Sequence, residues 1–152
     1  GDSGETIPKF IRERRKQSRP LPACDLVHVD GMHTYAYAFK DTVNLMPMMS
    51  CDTLIMMDDA CDPYRCHCHS PRESSFKARF GMCVGPTQAW HQLREQGVIR
   101  QEDTFFDARS PTRGWVVGRL ACTNGTKPNA PSLRALPKPV QVQYSRAPFA
   151  SV

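Results

Sequence analysis

Two short apolar runs, each stopped by acid and separated by one helix-length segment, constrain this chain more than any other feature. They lie in "CDLVHVDGMHTYAYAFKDTVNLMPMMSCDTLIMMDDA", Cys24 to Ala60. Residues 26–30 read as a short buried strand, apolar except for His28, and the run stops at Asp30-Gly31-Met32-His33. From His33 to about Met46 the period changes. Tyr35, Phe39, Val43 and Met46 fall on one face, with Lys40 and Asp41 off it, which predicts an amphipathic helix closed by Pro47. Residues 53–57 form the second run, which stops at Asp58-Asp59. A strand, a helix and a strand joined in this way make a βαβ unit, whose crossover leaves the two strands parallel.

The flanks extend the pattern. Ile7, Phe10 and Ile11 repeat at helical spacing, Asp2 or Ser3 is a candidate N-cap, and the helix is expected to end before Arg19-Pro20-Leu21-Pro22. Residues 60–82 have loop composition. Pro86 to Gly97 reads as a helix with Trp90, Leu93 and Val98 as its buried stripe and Gly97 as a stop signal. Two runs follow, Thr104-Phe105-Phe106 and Trp115-Val116-Val117-Gly118, with Arg109 to Gly114 as the turn of a β-hairpin. Beyond Ala121 there are prolines and basic side chains but no acid, so residues 121–152 are expected to be a disordered tail. The order is helix, strand, helix, strand, helix, hairpin. It predicts an α/β fold, the C-terminal half of a Rossmann-like doubly wound sheet with a closing antiparallel β-hairpin, over residues 1–120. Such sheets bind ligands outside the carboxyl ends of their strands, where both runs place their acids.

A chain of 152 residues suits one domain, and no apolar run reaches the length a membrane helix needs. The formal charge of +5 is unevenly placed. Lys9, Arg12, Arg14, Arg15, Lys16 and Arg19 face only Glu13 between them, while the rest of the chain balances. Such a segment can attract phosphates. Phe10 is its one aromatic residue, too few to stack on successive bases, so a solvated helix end is the expectation and nucleic acid is not the expected partner. Seven cysteines is an odd count, and several sit beside apolar residues. Together with the missing secretory signal, this points to a reducing, cytoplasmic setting.

Asp30, Asp58 and Asp59 are the candidate site. Carboxylates gathered within a few ångströms repel one another unless a cation or a shared proton intervenes. Oxygen ligands at an open site suit Mg²⁺ or a related hard cation. His33, three residues beyond Asp30, is a candidate general base at the same edge. The bland alternative is equally specific: Asp30 caps a helix beginning near Met32, Asp58 and Asp59 are turn residues facing water, and His33 is a loop histidine. A second dense group, Cys61, Cys66, His67, Cys68 and His69, has zinc-binding side chains. Its spacing matches no standard structural zinc pattern, so local enrichment in a loop covering the site is the preferred account.

The stretch "DLVHVDGMHTY" followed by "DTLIMMDD" resembles the strand-loop-helix motif D-L-[IV]-x-[IV]-D-G-x-H-x-Y, and the later acidic pair, of S-adenosylmethionine-dependent class I methyltransferases. The group it is most similar to is the methyltransferase-domain proteins related to small-molecule O-methyltransferases. "GDSGETIPKF" resembles the stretch before that strand; "GPTQAWHQLREQGVI" and "RGWVVGRL" resemble the last helix and closing strand. The resemblance implies Mg²⁺ held at Asp30, Asp58 and Asp59 against substrate hydroxyls, with His33 as base or substrate contact. It also implies S-adenosylmethionine as methyl donor and a small molecule as acceptor. One departure matters: no GxGxG occurs in the chain, so the glycine-rich loop that holds the cofactor in this superfamily is missing. The chain therefore reads as a fragment, the substrate and metal side of a methyltransferase, and inactive alone. The rival reading is a non-catalytic interaction or metal-binding protein that keeps half of the fold.

Overall fold

The computed structural model describes residues 1–60, 85–107 and 110–133. The Cys61–His69 group and the end of the expected tail lie outside them. Helix α1 runs Ser3–Lys16, capped by Asp2, whose carboxylate accepts from the Gly4 N–H at 2.7 Å. Strand β1 is Cys24–Val29, helix α2 Tyr35–Leu45, and strand β2 Met49–Asp58, entered through a single 3-10 turn at Met46–Met48 that contains Pro47. Helix α3 is Gly85–Glu95, and strands β3 and β4 are Ile99–Asp107 and Ser110–Leu120.

The four strands form one sheet in the order β1-β2-β4-β3. β1 and β2 are parallel neighbours, with Val27 opposite Ile55 and Val29 opposite Met57. β4 runs antiparallel to both β2 and β3. The result is a mixed open α/β sheet of the Rossmann-like kind. One face is the core: Val27, Val29, Ile55, Met57 and Val116 pack with Phe39 and Val43 of α2 and Trp90 and Leu93 of α3. Alternate residues point the other way, and there Leu26 is 55% and Phe105 51% exposed. A doubly wound sheet carries helices on both faces; among the described residues the packed core lies on one.

Several local expectations change for physical reasons. β2 begins at Met49, ahead of the apolar run, because Ser50 to Thr53 form a bulge against β1, where the register jumps between Cys24 and Leu26. The Thr53 hydroxyl donates to the Cys24 carbonyl across that bulge, closing it. The expected turn from Arg109 to Gly114 is mostly strand, since β4 starts at Ser110. Pro111 fits there because β2 pairs only with Trp115 to Gly118, leaving the first residues of β4 with one neighbour. Phe10 sits on the α1 stripe in sequence but is 41% exposed, packed under the Arg14 guanidinium.

α3 ends where Gly97 takes φ +66°, with Val98 N–H bonded to the Leu93 carbonyl and Gly97 N–H to that of Arg94. That is a Schellman stop, and the buried Leu93 and Val98 are its apolar contact. Residues 121–133, expected to be disordered, are tied to the sheet. Ala121 N–H bonds to the Val98 carbonyl, Lys127 reaches the Met49 carbonyl, and Leu133 packs against the core. Cys122 is joined to Cys51 by a disulfide with Cα atoms 5.9 Å apart. A disulfide runs against the reducing setting expected from the cysteine count, because cytosolic thiols are kept reduced. No helix among the described residues is long and apolar enough to cross a membrane.

Candidate functional site

The site forms where β1 and β2 end side by side. Asp30 follows Val29 directly, and Asp58 is the last residue of β2. The chain between Asp30 and α2 does not helix at once. Thr34 is the N-cap, its hydroxyl accepting from Tyr37 N–H at 3.5 Å, so Asp30 is released from the capping role open to it in sequence. His33 Nε2 lies 3.4 Å from an Asp30 oxygen. His33 Nδ1 lies 2.7 Å from Asp59 Oδ2. An ionised carboxylate only accepts, so the proton of that bond sits on Nδ1.

Asp59 reaches the ring because its φ is +49°, a left-handed turn that Asp tolerates better than most residues and that swings its carboxylate back over the strand end. Asp30, His33 and Asp58 each offer a ligand atom, and all three atoms lie within 4.8 Å of one another. The sequence grouped Asp30, Asp58 and Asp59. The structure brings Asp30, His33 and Asp58 into one shell and sets Asp59 behind His33, on the other ring nitrogen.

Burial raises the Asp58 carboxyl above the ordinary carboxylate range, and a hydrogen bond to Asp30 and the charges of Asp59 and Asp30 raise it further. Carboxylates crowded in this way lie where a cation would balance their charge. Two acid oxygens and an imidazole nitrogen are a donor set that suits a divalent ion, and the crowding of Asp30 and Asp58 fits it.

Sequence reasoning missed Asp41. It lies off the apolar stripe of α2, yet it is only 6% exposed, because α1 packs against a second face of that helix. Its carboxyl is raised by burial, partly offset by a hydrogen bond from Ser3, and Oδ1 has no hydrogen-bond partner. Tyr37, unremarked in sequence, donates its hydroxyl to Asp2 at 3.1 Å and so fixes the start of α1 beside the start of α2.

The class the fold defines is an open α/β sheet domain, with acids and an imidazole gathered at the carboxyl ends of adjacent parallel strands, the edge where such sheets bind ligands. Residues 1–60 match the family model described as a methyltransferase domain, which supports a methyltransferase-domain family and agrees with the class I resemblance. The match lies at the N-terminal end of this chain, covers α1 through β2 with all four site residues, and stops before α3. No curated protein matches the chain.

Proposed function

We propose that this chain supplies the substrate and metal side of a methyl transfer from S-adenosylmethionine to a hydroxyl of a small molecule, assisted by a divalent cation such as Mg²⁺. The observation that carries the reading is the convergence of Asp30, His33 and Asp58 at the ends of two parallel strands, within the segment that matches a methyltransferase domain. Asp30 and Asp58 would hold the cation. When bound, the cation supplies a positive charge that lowers the pKa of the substrate hydroxyl. His33 would accept the hydroxyl proton, and S-adenosylmethionine, when bound, would supply the methyl group to that oxygen from its sulfonium, leaving a thioether. Asp59, bonded to Nδ1, fixes the ring so that Nε2 faces the site, the role a carboxylate plays behind a histidine base. Asp59 thus moves from the metal set to orienting the base.

The test is a thermal melt with and without millimolar Mg²⁺ or Mn²⁺. A ligand that binds only the folded state raises stability by about 2.7 kcal/mol at a hundredfold excess over its dissociation constant. Asp58→Asn is expected to abolish the shift, and Asp52→Asn, at the opposite end of β2, to keep it. Equal shifts in the parent and Asp58→Asn would remove the cation from the proposal. His33→Gln should keep most of the shift, since it takes away the base and not the carboxylates. A loss as large as that of Asp58→Asn would make His33 a ligand instead.

A further inference from the structure

We infer that the position of His33 is set from α3, and that Gly85 is the positioning residue. Gly85 is buried and opens α3. A Cβ placed on it would overlap the His33 carbonyl oxygen, and would lie 2.9 Å from the His33 carbonyl carbon and 3.2 Å from Thr34 Cα. These are backbone atoms, which cannot swing aside as a side-chain tip does. The start of α3 therefore rests directly on the His33–Thr34 peptide.

The same peptide is also held within its own loop. Thr34 caps α2, and its N–H bonds to the Met32 carbonyl at 2.7 Å. Below the loop, a Cβ on Gly31 would meet Asp41 Oδ2 at 3.1 Å, a contact that a carboxylate tip can relieve. Between these two supports the α3 contact is the rigid one. The His33 imidazole hangs from this peptide, and its bond to Asp59 is 2.7 Å long. A displacement of about 1 Å takes such a bond beyond hydrogen-bonding distance. Occupying the space at Gly85 should therefore uncouple His33 from Asp59 without altering either residue.

The inference deepens the reading of His33 as the base, but its test uses neither cation nor methyl donor. The ring ¹⁵N resonances of His33 are recorded at one fixed pH in the parent, Gly85→Ala and Gly97→Ala. Gly97 lies past the other end of α3 with nothing within 4 Å of its Cβ position, so alanine there strains the helix stop and leaves His33 alone. We expect both variants to melt earlier than the parent. Only Gly85→Ala should lose the signature of an Nδ1-protonated ring bonded to a carboxylate. Parent-like His33 resonances in folded Gly85→Ala would overturn the inference, as would an equal change in Gly97→Ala. If Gly85→Ala does not fold, the parent decides: nuclear Overhauser contacts between the Gly85 Hα and Thr34 Hα protons are required, and their absence overturns the inference. A cation shift missing from the melts alongside the expected His33 result would sink the proposed chemistry and leave the positioning intact.

Discussion

Asp58 is held where its negative charge is disfavoured, half-buried with two other acids beside it. Its folded pKa lies above the unfolded value, so the folded chain binds the proton more tightly. The stability this contributes is full below the ordinary carboxylate range, near pH 4, and is lost as pH rises through the folded pKa. Asp58→Asn is therefore expected to raise the melting temperature of the cation-free protein at pH 7, with no gain below pH 4. Melts at the two pH values check this, and a variant less stable than the parent at pH 7 would contradict it. His33→Gln should cost a general base its usual share, about 10²- to 10⁴-fold in methyl transfer, measured on a chain that binds the methyl donor. The acids were legible in the sequence because each ends an apolar run and the strands bearing them are parallel neighbours. The pairing of Asp59 with His33 was not, because it depends on one left-handed turn that no spacing encodes.

At the scale of elements, the two caps beside the site differ in strength. Asp2 accepts from Gly4 N–H at 2.7 Å with one oxygen and from Tyr37 at 3.1 Å with the other. Thr34 accepts from Tyr37 N–H at 3.5 Å only. Loss of an N-cap costs about 1 kcal/mol. Asp2→Ala is expected to cost at least that, and Thr34→Ala less, in denaturant unfolding; the reverse order would show that the α1 cap is dispensable. Phe39, Val43, Trp90 and Leu93 were read correctly from the 3.6-residue period because each helix lays that stripe on the sheet. Asp41 broke the pattern because α2 is covered twice, by the sheet and by α1. Pro111 and Gly114 read as a turn because a sequence does not reveal that a strand has only one neighbour there.

Across the whole molecule, the covalent cross-link among the described residues is Cys51–Cys122, with a sequence separation of 71. Closing a loop of that size removes unfolded-state entropy worth about 4 kcal/mol. Cys51→Ser should lower the melting temperature accordingly, and a parent protein that melts equally with and without a dithiol reductant would mean that the bridge contributes nothing. Binding of the methyl donor is also a property of the whole. With no glycine-rich loop in the sequence, calorimetric titration should find S-adenosylmethionine bound weakly by this chain alone. Micromolar affinity would show that the residues present suffice.

Tyr37 and Asp2 bring the start of α1 to the acidic edge, so its far end, with Arg12, Arg15, Lys16 and Arg19 exposed, lies about 20 Å away at 1.5 Å per residue. The described chain is in consequence polarised along α1, with basic side chains gathered at the end of the helix remote from the strand-end acids. On a negatively charged support it should not adsorb at random. It should settle with the basic pole down, leaving the ends of β1 and β2 facing the solution and open to whatever is flowed over them.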